Sequence, residues 1–330
     1  MTDRRNTVAQ AAGTGEEHRG REAERPRDIP AKGLKDVFWR VFAAVQEDRV
    51  LLVAGGVTFY LLLAIFPAMT ALVSLYGFFA DPATIIERLS FLNQVMPSEG
   101  LNIFFGQLQT LANEKRSALS YGLIFGLAVA LWSANNGVKA LFEAMNIAYA
   151  EDEKRSFLRL NLVSFAFTIG GLIGLIVLVI GLGVIPAVIA FVNLGGVAET
   201  VLTVVRWPVL LVLIAFGITL LYRYGPSRER ARLRWVTWGA AMAALLWVIG
   251  SLGVSYYLSN IADYNATYGT LGALIGFLFW TWISAVIVIL GAEVNAELEH
   301  QTARDSTTGP EQPMGRRGAY MADTLGETSG

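Results

Sequence analysis

Between Leu271 and Ala292 the chain carries no charged side chain. An α-helix needs about 20 mostly apolar residues to cross the hydrocarbon core of a bilayer. A backbone in lipid must also satisfy its own hydrogen bonds, which leaves few alternatives to a helix. The run is therefore read as a membrane span. Gly269, Gly272 and Gly276 recur at spacings of three and four within it, so they share a face on which another helix can come close. Asp263 is the charge on its entry side, and Glu293, Glu297 and Glu299 follow on its exit side.

Composition carries the reading to the whole chain. Hydrophobic residues make up 54% and charged residues 16%, where a soluble domain holds about 25% charged residues. The deficit lies in further uncharged runs, which makes the class all-α integral membrane protein. A net charge of −1 says little about partners, because charge here is distributed by side of the membrane. The absence of cysteine excludes disulfides, thiol nucleophiles and cysteine-ligated metals. The two histidines, His18 and His300, lie in polar flanks, which excludes a His-dependent triad inside the membrane region.

Six transmembrane helices are expected, at about 50–79, 119–141, 162–185, 201–221, 235–258 and 269–292, within a membrane domain spanning 32–300. Residues 1–31 and 301–330 are polar and are expected to be disordered cytoplasmic tails. Leu34, Val37, Phe38, Val41, Phe42 and Val45 recur at helical spacing opposite Lys35, Asp36 and Arg40. This predicts an N-terminal amphipathic helix, lying either in the headgroup region or against the protein's own cytoplasmic loops. Two amphipathic stretches split at Pro97 within residues 80–118 predict a small extracytoplasmic helical cap. Lys and Arg concentrate before Arg49 and in the connections after the second and fourth spans. The positive-inside tendency then places both termini in the cytoplasm.

Three stretches resemble one family. The run YGTLGALIGFLFWTWISAVIVILGAEVNAE is similar to the C-terminal signature of the YihY/BrkB family of bacterial inner-membrane proteins. TFYLLLAIFPAM resembles that family's first span, and ALFEAMNIAYAEDEKRSFLR resembles its loop after the second span. The resemblance covers about residues 34–300 and implies six transmembrane helices and an inner-membrane location. It supplies no mechanism. Members have carried a ribonuclease label and a virulence-factor name. The nuclease label is set aside, because a metal-dependent nuclease needs hard ligands converging on a cation, whereas the acids here are scattered near span ends. No metal or cofactor is expected, and no nucleic-acid partner.

Several polar sets are candidates for a solute pathway. On the second span, Asn135, Lys139 and Glu143 are four apart and share a face, with Asn136 beside them and Asn146 beyond. Polar groups at membrane depth mark a pathway by default. The plainer reading is an interfacial Lys139–Glu143 ion pair with the lysine reaching toward water. Asp263, Asn265 and Tyr268 at the outer mouth of the last span could line a vestibule or simply cap the helix. Pro67 predicts a kink in the first span. Glu293 lies near the arginine-rich segment and could pair with one of its members. In that segment Arg228, Arg230, Arg232 and Arg234 suit anionic lipid headgroups. Gly122, Gly126, Gly170, Gly174 and the three glycines of the last span predict close helix packing, within the chain or against a second copy in a homo-oligomer. The function these features favour is a permease-like transporter of a small organic anion or amphiphile. The alternative is a non-transporting envelope scaffold that interacts with lipid. An enzyme is not expected.

Overall fold

The computed structural model describes residues 19–79, 106, 116–180, 196–260 and 272–328. The expected cap at 80–118 falls largely outside these, as do Asp263, Asn265, Tyr268 and Gly269, and so do residues 1–18. Among the described residues the chain is helical. A 3-10 turn, Pro26–Asp28, precedes α1 (Ala31–Glu47), α2 (Val50–Phe79), α3 (Arg116–Ala148), α4 (Phe157–Val179), α5 (Gly196–Tyr224), α6 (Leu233–Asn260), α7 (Gly272–His300) and the short α8 (Tyr320–Asp323). Extended pairing among these residues is limited to one isolated bridge, Ala231 to Thr307.

Four helical segments among the described residues are long and apolar enough to cross a bilayer. They are Phe157–Leu178, Val204–Tyr224, Leu233–Asn260 and Leu274–His300. Their outer faces carry large apolar side chains, with Leu162, Val212 and Leu252 each about two-thirds exposed. In water that surface would be unfavourable; in lipid it costs nothing, and helices apolar all round are the expected form. The helix α2 continues through Pro67, whose side chain lies outside the described set. Each of the six runs read as spans in the sequence overlaps one long helix from α2 to α7, with ends differing by up to eight residues where they are described; residues 181–185 and 269–271 of the expected spans lie outside the described residues.

α7 organises the bundle. It packs against α6, α2, α1 and α3, while α2 lies along α3 and α5 along α6. Its 29 residues extend about 44 Å at 1.5 Å per residue. The bilayer core is about 30 Å thick, so the polar turns after Ala292 project beyond the apolar stretch. The α6–α7 crossing is set by glycine. A Cβ on Gly239 would collide with the Gly291 carbonyl and Asn295, and one on Gly291 with the Tyr222 hydroxyl and Ala243. The spacing rule pointed elsewhere: a Cβ on Gly170 or Gly174 would meet nothing within 4 Å. Those two glycines make no close approach to another helix among the described residues. Gly126, Gly272 and Gly276 are buried, and the surroundings of Gly122 lie outside the described set.

The expectation of disordered tails is corrected where the tails are described. Residues 301–328 fold back over the end of the bundle to which the segment from Arg19 also packs. Arg232 and Thr308 donate backbone N–H to the Ser306 and Arg230 carbonyls, both at 2.8 Å, and Glu229 donates to Gly318 at 3.0 Å. Ala303 N–H reaches the Arg21 carbonyl at 2.7 Å, which ties the C-terminal segment to the N-terminal one. Arg19 pairs with Asp36 of α1 at 2.8 Å. Composition suggested disorder because these stretches bury little apolar surface. They are ordered by saturating polar groups instead. Asp305, 3% exposed, accepts from the Thr307 N–H and hydroxyl and the Gln312 N–H. These bonds hold its carboxyl below the usual range against the opposing effect of burial. Arg317 donates to the Ala303 and Ala322 carbonyls.

Candidate functional site

Two polar regions come out of this architecture, one inside the bundle and one at its end. Within the bundle most small polar side chains are satisfied by their own helix. The hydroxyls of Thr58, Thr168, Thr219 and Thr281 each donate to the carbonyl four residues back, at 2.7 to 2.9 Å. That is the cheap solution in lipid, where no water can pair with a polar group. Such residues are closed and offer nothing to a solute.

α3 departs from that pattern. Asn135 is 2% exposed, and its carboxamide oxygen has no hydrogen-bond partner among the described residues. One turn further on, Lys139 extends its ammonium to the Asn161 side-chain oxygen of α4 at 2.7 Å. Asn161 in turn donates to the Phe157 carbonyl. The expected Lys139–Glu143 ion pair is therefore replaced by a lysine–amide bond between α3 and α4, and Glu143 is exposed. The reason is direction: Asn161 comes from a neighbouring helix and needs no bending of the lysine along its own. Asn136 is half-buried beside Asn135. Asn146 stands apart from this set. It is buried and links two loops, accepting the Ser227 N–H at 2.7 Å and donating to Glu153 at 3.3 Å.

The second region is a buried charge layer around the last turns of α7. Glu293, Asn295, Glu297 and Glu299 are 1%, 1%, 7% and 1% exposed, a degree of burial carboxylates rarely tolerate without partners. Glu297 accepts from Arg40 of α1, and His300 lies 3.5 Å from it. Glu299 forms a two-armed pair with Arg228, one arm at 2.9 Å. Ser306 of the C-terminal segment donates to the same carboxylate. The Arg228 guanidinium also lies 5.0 Å over the Tyr149 ring. Burial alone would make Arg228 easier to deprotonate, but the adjacent Glu299 charge outweighs it and holds the guanidinium charged.

Two expectations are corrected here. Glu293 makes no arginine pair among the described residues; the acidic group beside it is Asp48, at the turn between α1 and α2. The arginine goes to Glu299, six residues on and about 240° round the helix, which is the face turned toward residues 225–232. Arg228 is consequently not available to lipid headgroups, with its side chain 2% exposed. Arg230 is exposed and lies 5.0 Å over the Tyr224 ring.

Residues that sequence reasoning passed over carry much of this layer. Asn295 accepts the Gly239 N–H at 2.8 Å and donates to the Val236 carbonyl at 2.9 Å, which locks α7 to α6. Arg155 donates to the Tyr224 and Gly225 carbonyls while pairing with Glu153. The signal available was the alternation of polar residues at 293, 295, 297 and 299 just after an apolar run. Its partners, tens to hundreds of residues away, were not available. Among the described residues no three His, Asp or Glu side chains group so as to hold a metal ion.

Comparison with known proteins decides the family. The profile of the Virulence factor BrkB family matches residues 41–315. The chain belongs to that family. Among relatives, it is 32% identical over 270 residues to the ribonuclease-like protein YfkH of Bacillus subtilis, covering 80% of this chain and 94% of that one. It is 26% identical over 304 residues to a UPF0761 membrane protein of Vibrio parahaemolyticus, covering 88% and 93%. It is also 26% identical over 266 residues to a UPF0761 membrane protein of Paraburkholderia xenovorans, covering 78% and 59%. No solved structure matches the chain. It is thus a membrane protein of the BrkB family, which is not a known enzyme family.

Proposed function

We propose that this BrkB-family protein is a permease-like transporter of a small organic anion or amphiphile in the bacterial inner membrane. In this reading it has six spans, α2 to α7, with both termini cytoplasmic, an extracytoplasmic cap between α2 and α3, and α1 lying at the headgroup level. The observation that carries the reading is Asn135. A buried carboxamide oxygen without a partner among the described residues is costly in an apolar interior. It lies one turn from a lysine held by an uncharged amide instead of a carboxylate. An anionic solute in contact with α3 would find a cation that pairs with no carboxylate among the described residues, and an amide to orient on. Arg230 and Arg234 serve anionic headgroups at the same end of the bundle as the termini.

The test is flux. Purified protein in proteoliposomes should move labelled organic anions, with Lys139→Ala abolishing transport and Asn135→Ala reducing it at least tenfold. Both variants should retain the wild-type elution profile and unfolding midpoint. Flux unchanged in both variants, or absent across a broad solute panel, would overturn the transport reading and favour the envelope scaffold.

A further inference from the structure

We infer that the protein holds the acyl chain of an anionic phospholipid from the surrounding bilayer in a groove beside α1. The groove, about 310 Å³, lies between the Pro26–Ile29 segment, α1, α6 and α7. Ile29, Val37, Phe38, Trp238, Val294 and Leu298 line it, with Arg27 as its charged member. Its volume is at the lower end of what small-ligand sites enclose, and its lining suits a hydrocarbon chain.

Four observations name the occupant. First, the groove opens onto lipid. Trp238 is 56% exposed and continues into Leu245, Ile249 and Leu252, all more than half exposed. At spacings of seven, four and three these lie along one face of α6, so a chain in the groove runs on along a lipid-facing stripe. Second, α1 divides its apolar residues. Val37 and Val41 join the core with Trp235 and Leu298, while Leu34, Phe38, Trp39 and Phe42 are 45 to 63% exposed. Phe38, Trp39 and Phe42 contact one another edge to face, forming the aromatic belt expected where headgroups meet acyl chains. Third, the basic groups near the groove are open. Arg27, Lys32 and Lys35 are exposed, and the carboxylate paired with Arg27 among the described residues, Asp28, is 3.8 Å away and itself exposed. An anionic phosphate at Arg27 would place its acyl chain over the groove. Fourth, the chain's own remaining segments do not suit it. Residues 1–18 contain Val8 and Met1 as their large apolar residues; the stretches within 80–115, 181–195 and 261–271 follow in sequence the far ends of α2, α4 and α6, helices of 30, 23 and 28 residues that run about 35–45 Å.

The experiment is photolabelling of the full-length protein in phosphatidylethanolamine vesicles. Phosphatidylglycerol or phosphatidylcholine, each with the same acyl-chain diazirine, is added at equal mole fraction. Labelled peptides are then mapped. Labelling by phosphatidylglycerol should concentrate on residues 34–41, 238 and 294–298, about fivefold over phosphatidylcholine. That ratio corresponds to about 1 kcal/mol for one basic residue near the surface. The exposed substitution Arg27→Gln should remove the preference while leaving folding intact. Val294→Trp should remove the labelling itself, and Leu34→Trp serves the same end from an exposed position. Equal labelling by the two lipids, or labels spread evenly over the span surfaces, would overturn the proposal. So would crosslinking between two copies through Leu34→Cys, available because the native chain has no cysteine. None of these outcomes depends on solute flux, so failure here and failure of the transport reading are separable.

Discussion

The middle of the bundle and its terminus-bearing end solve the same problem in opposite ways. In the middle, threonine hydroxyls turn back to their own helix, and contact between helices is mostly apolar, with a few single uncharged bridges such as Trp247 to Ser284, Trp280 to Ser251 and Trp282 to the Leu51 carbonyl and the Lys139–Asn161 bond. At the end, polar groups reach across the chain: Arg228 to Glu299, Arg40 to Glu297, Thr302 to the Ala23 carbonyl at 2.7 Å. Lipid leaves a polar group no fallback partner, so local bonds that form with the helix are safest there. Beyond the hydrocarbon, water keeps unfolded polar groups solvated, and networks from distant segments can assemble and then exclude it. The comparison also explains why Asn135 stands out. It follows neither rule, being buried at depth with no partner for its oxygen among the described residues.

The comparison is tested most severely at Arg228. Removing it leaves Glu299 buried and unpaired, so Arg228→Ala should cost about 3–5 kcal/mol, read as a large drop in the unfolding midpoint in detergent. The double substitution Arg228→Met with Glu299→Leu should recover most of that loss. If the single variant unfolds like wild type, the terminal layer is not a cooperative part of the fold.

Smaller effects are expected in the middle. Gly239→Ala must push the α6 backbone away from the Gly291 carbonyl and should cost about 1–3 kcal/mol, as overpacking does. Gly170→Ala and Gly174→Ala, which meet open space, should change stability by less than about 0.5 kcal/mol. A marked loss in either of the latter would show that α4 is covered by a second copy.

The smallest effect concerns pH. Hydrogen bonds from Arg155 and Asn146 outweigh burial and hold the Glu153 carboxyl at about 2, against an ordinary value of 4.5. Its contribution is therefore complete above the ordinary value and is lost as pH falls from there through about 2. The midpoint difference between wild type and Glu153→Gln should be modest at pH 6, shrink as pH falls below about 4.5, and close only at or below about pH 2. A difference that stays constant from pH 6 down to about pH 2 would mean the carboxylate charge is not what docks the loop.

How much was legible depends on the range of the interaction. The long helices could be read because an uncharged run of given length has few alternatives in a bilayer. The buried carboxylates could be seen in the sequence, yet Glu293 was matched to the wrong role. A rotation of about 240° round the helix, between Glu293 and Glu299, decides whether a side chain faces Asp48 or Arg228, and linear proximity to an arginine-rich stretch does not say which. The glycine spacing on α4 was regular and predicted close packing within the chain or against a second copy, yet a Cβ on Gly170 or Gly174 meets nothing within 4 Å among the described residues, because a small face permits close approach without requiring it. The tails were misread for a related reason. Composition measures apolar burial, and these segments are held by backbone and carboxylate bonds whose partners lie up to 305 residues away.

By itself, then, the order of residues determined the membrane class, the helical periods and the family, since each rests on local composition or on short contiguous motifs. Tertiary structure alone decided which carboxylate meets which arginine, where two backbones touch, and that both ends of the chain close over one end of the bundle. The physical reason is that desolvated ion pairs and close backbone crossings depend on angles and distances between elements, and those are set only when the helices pack.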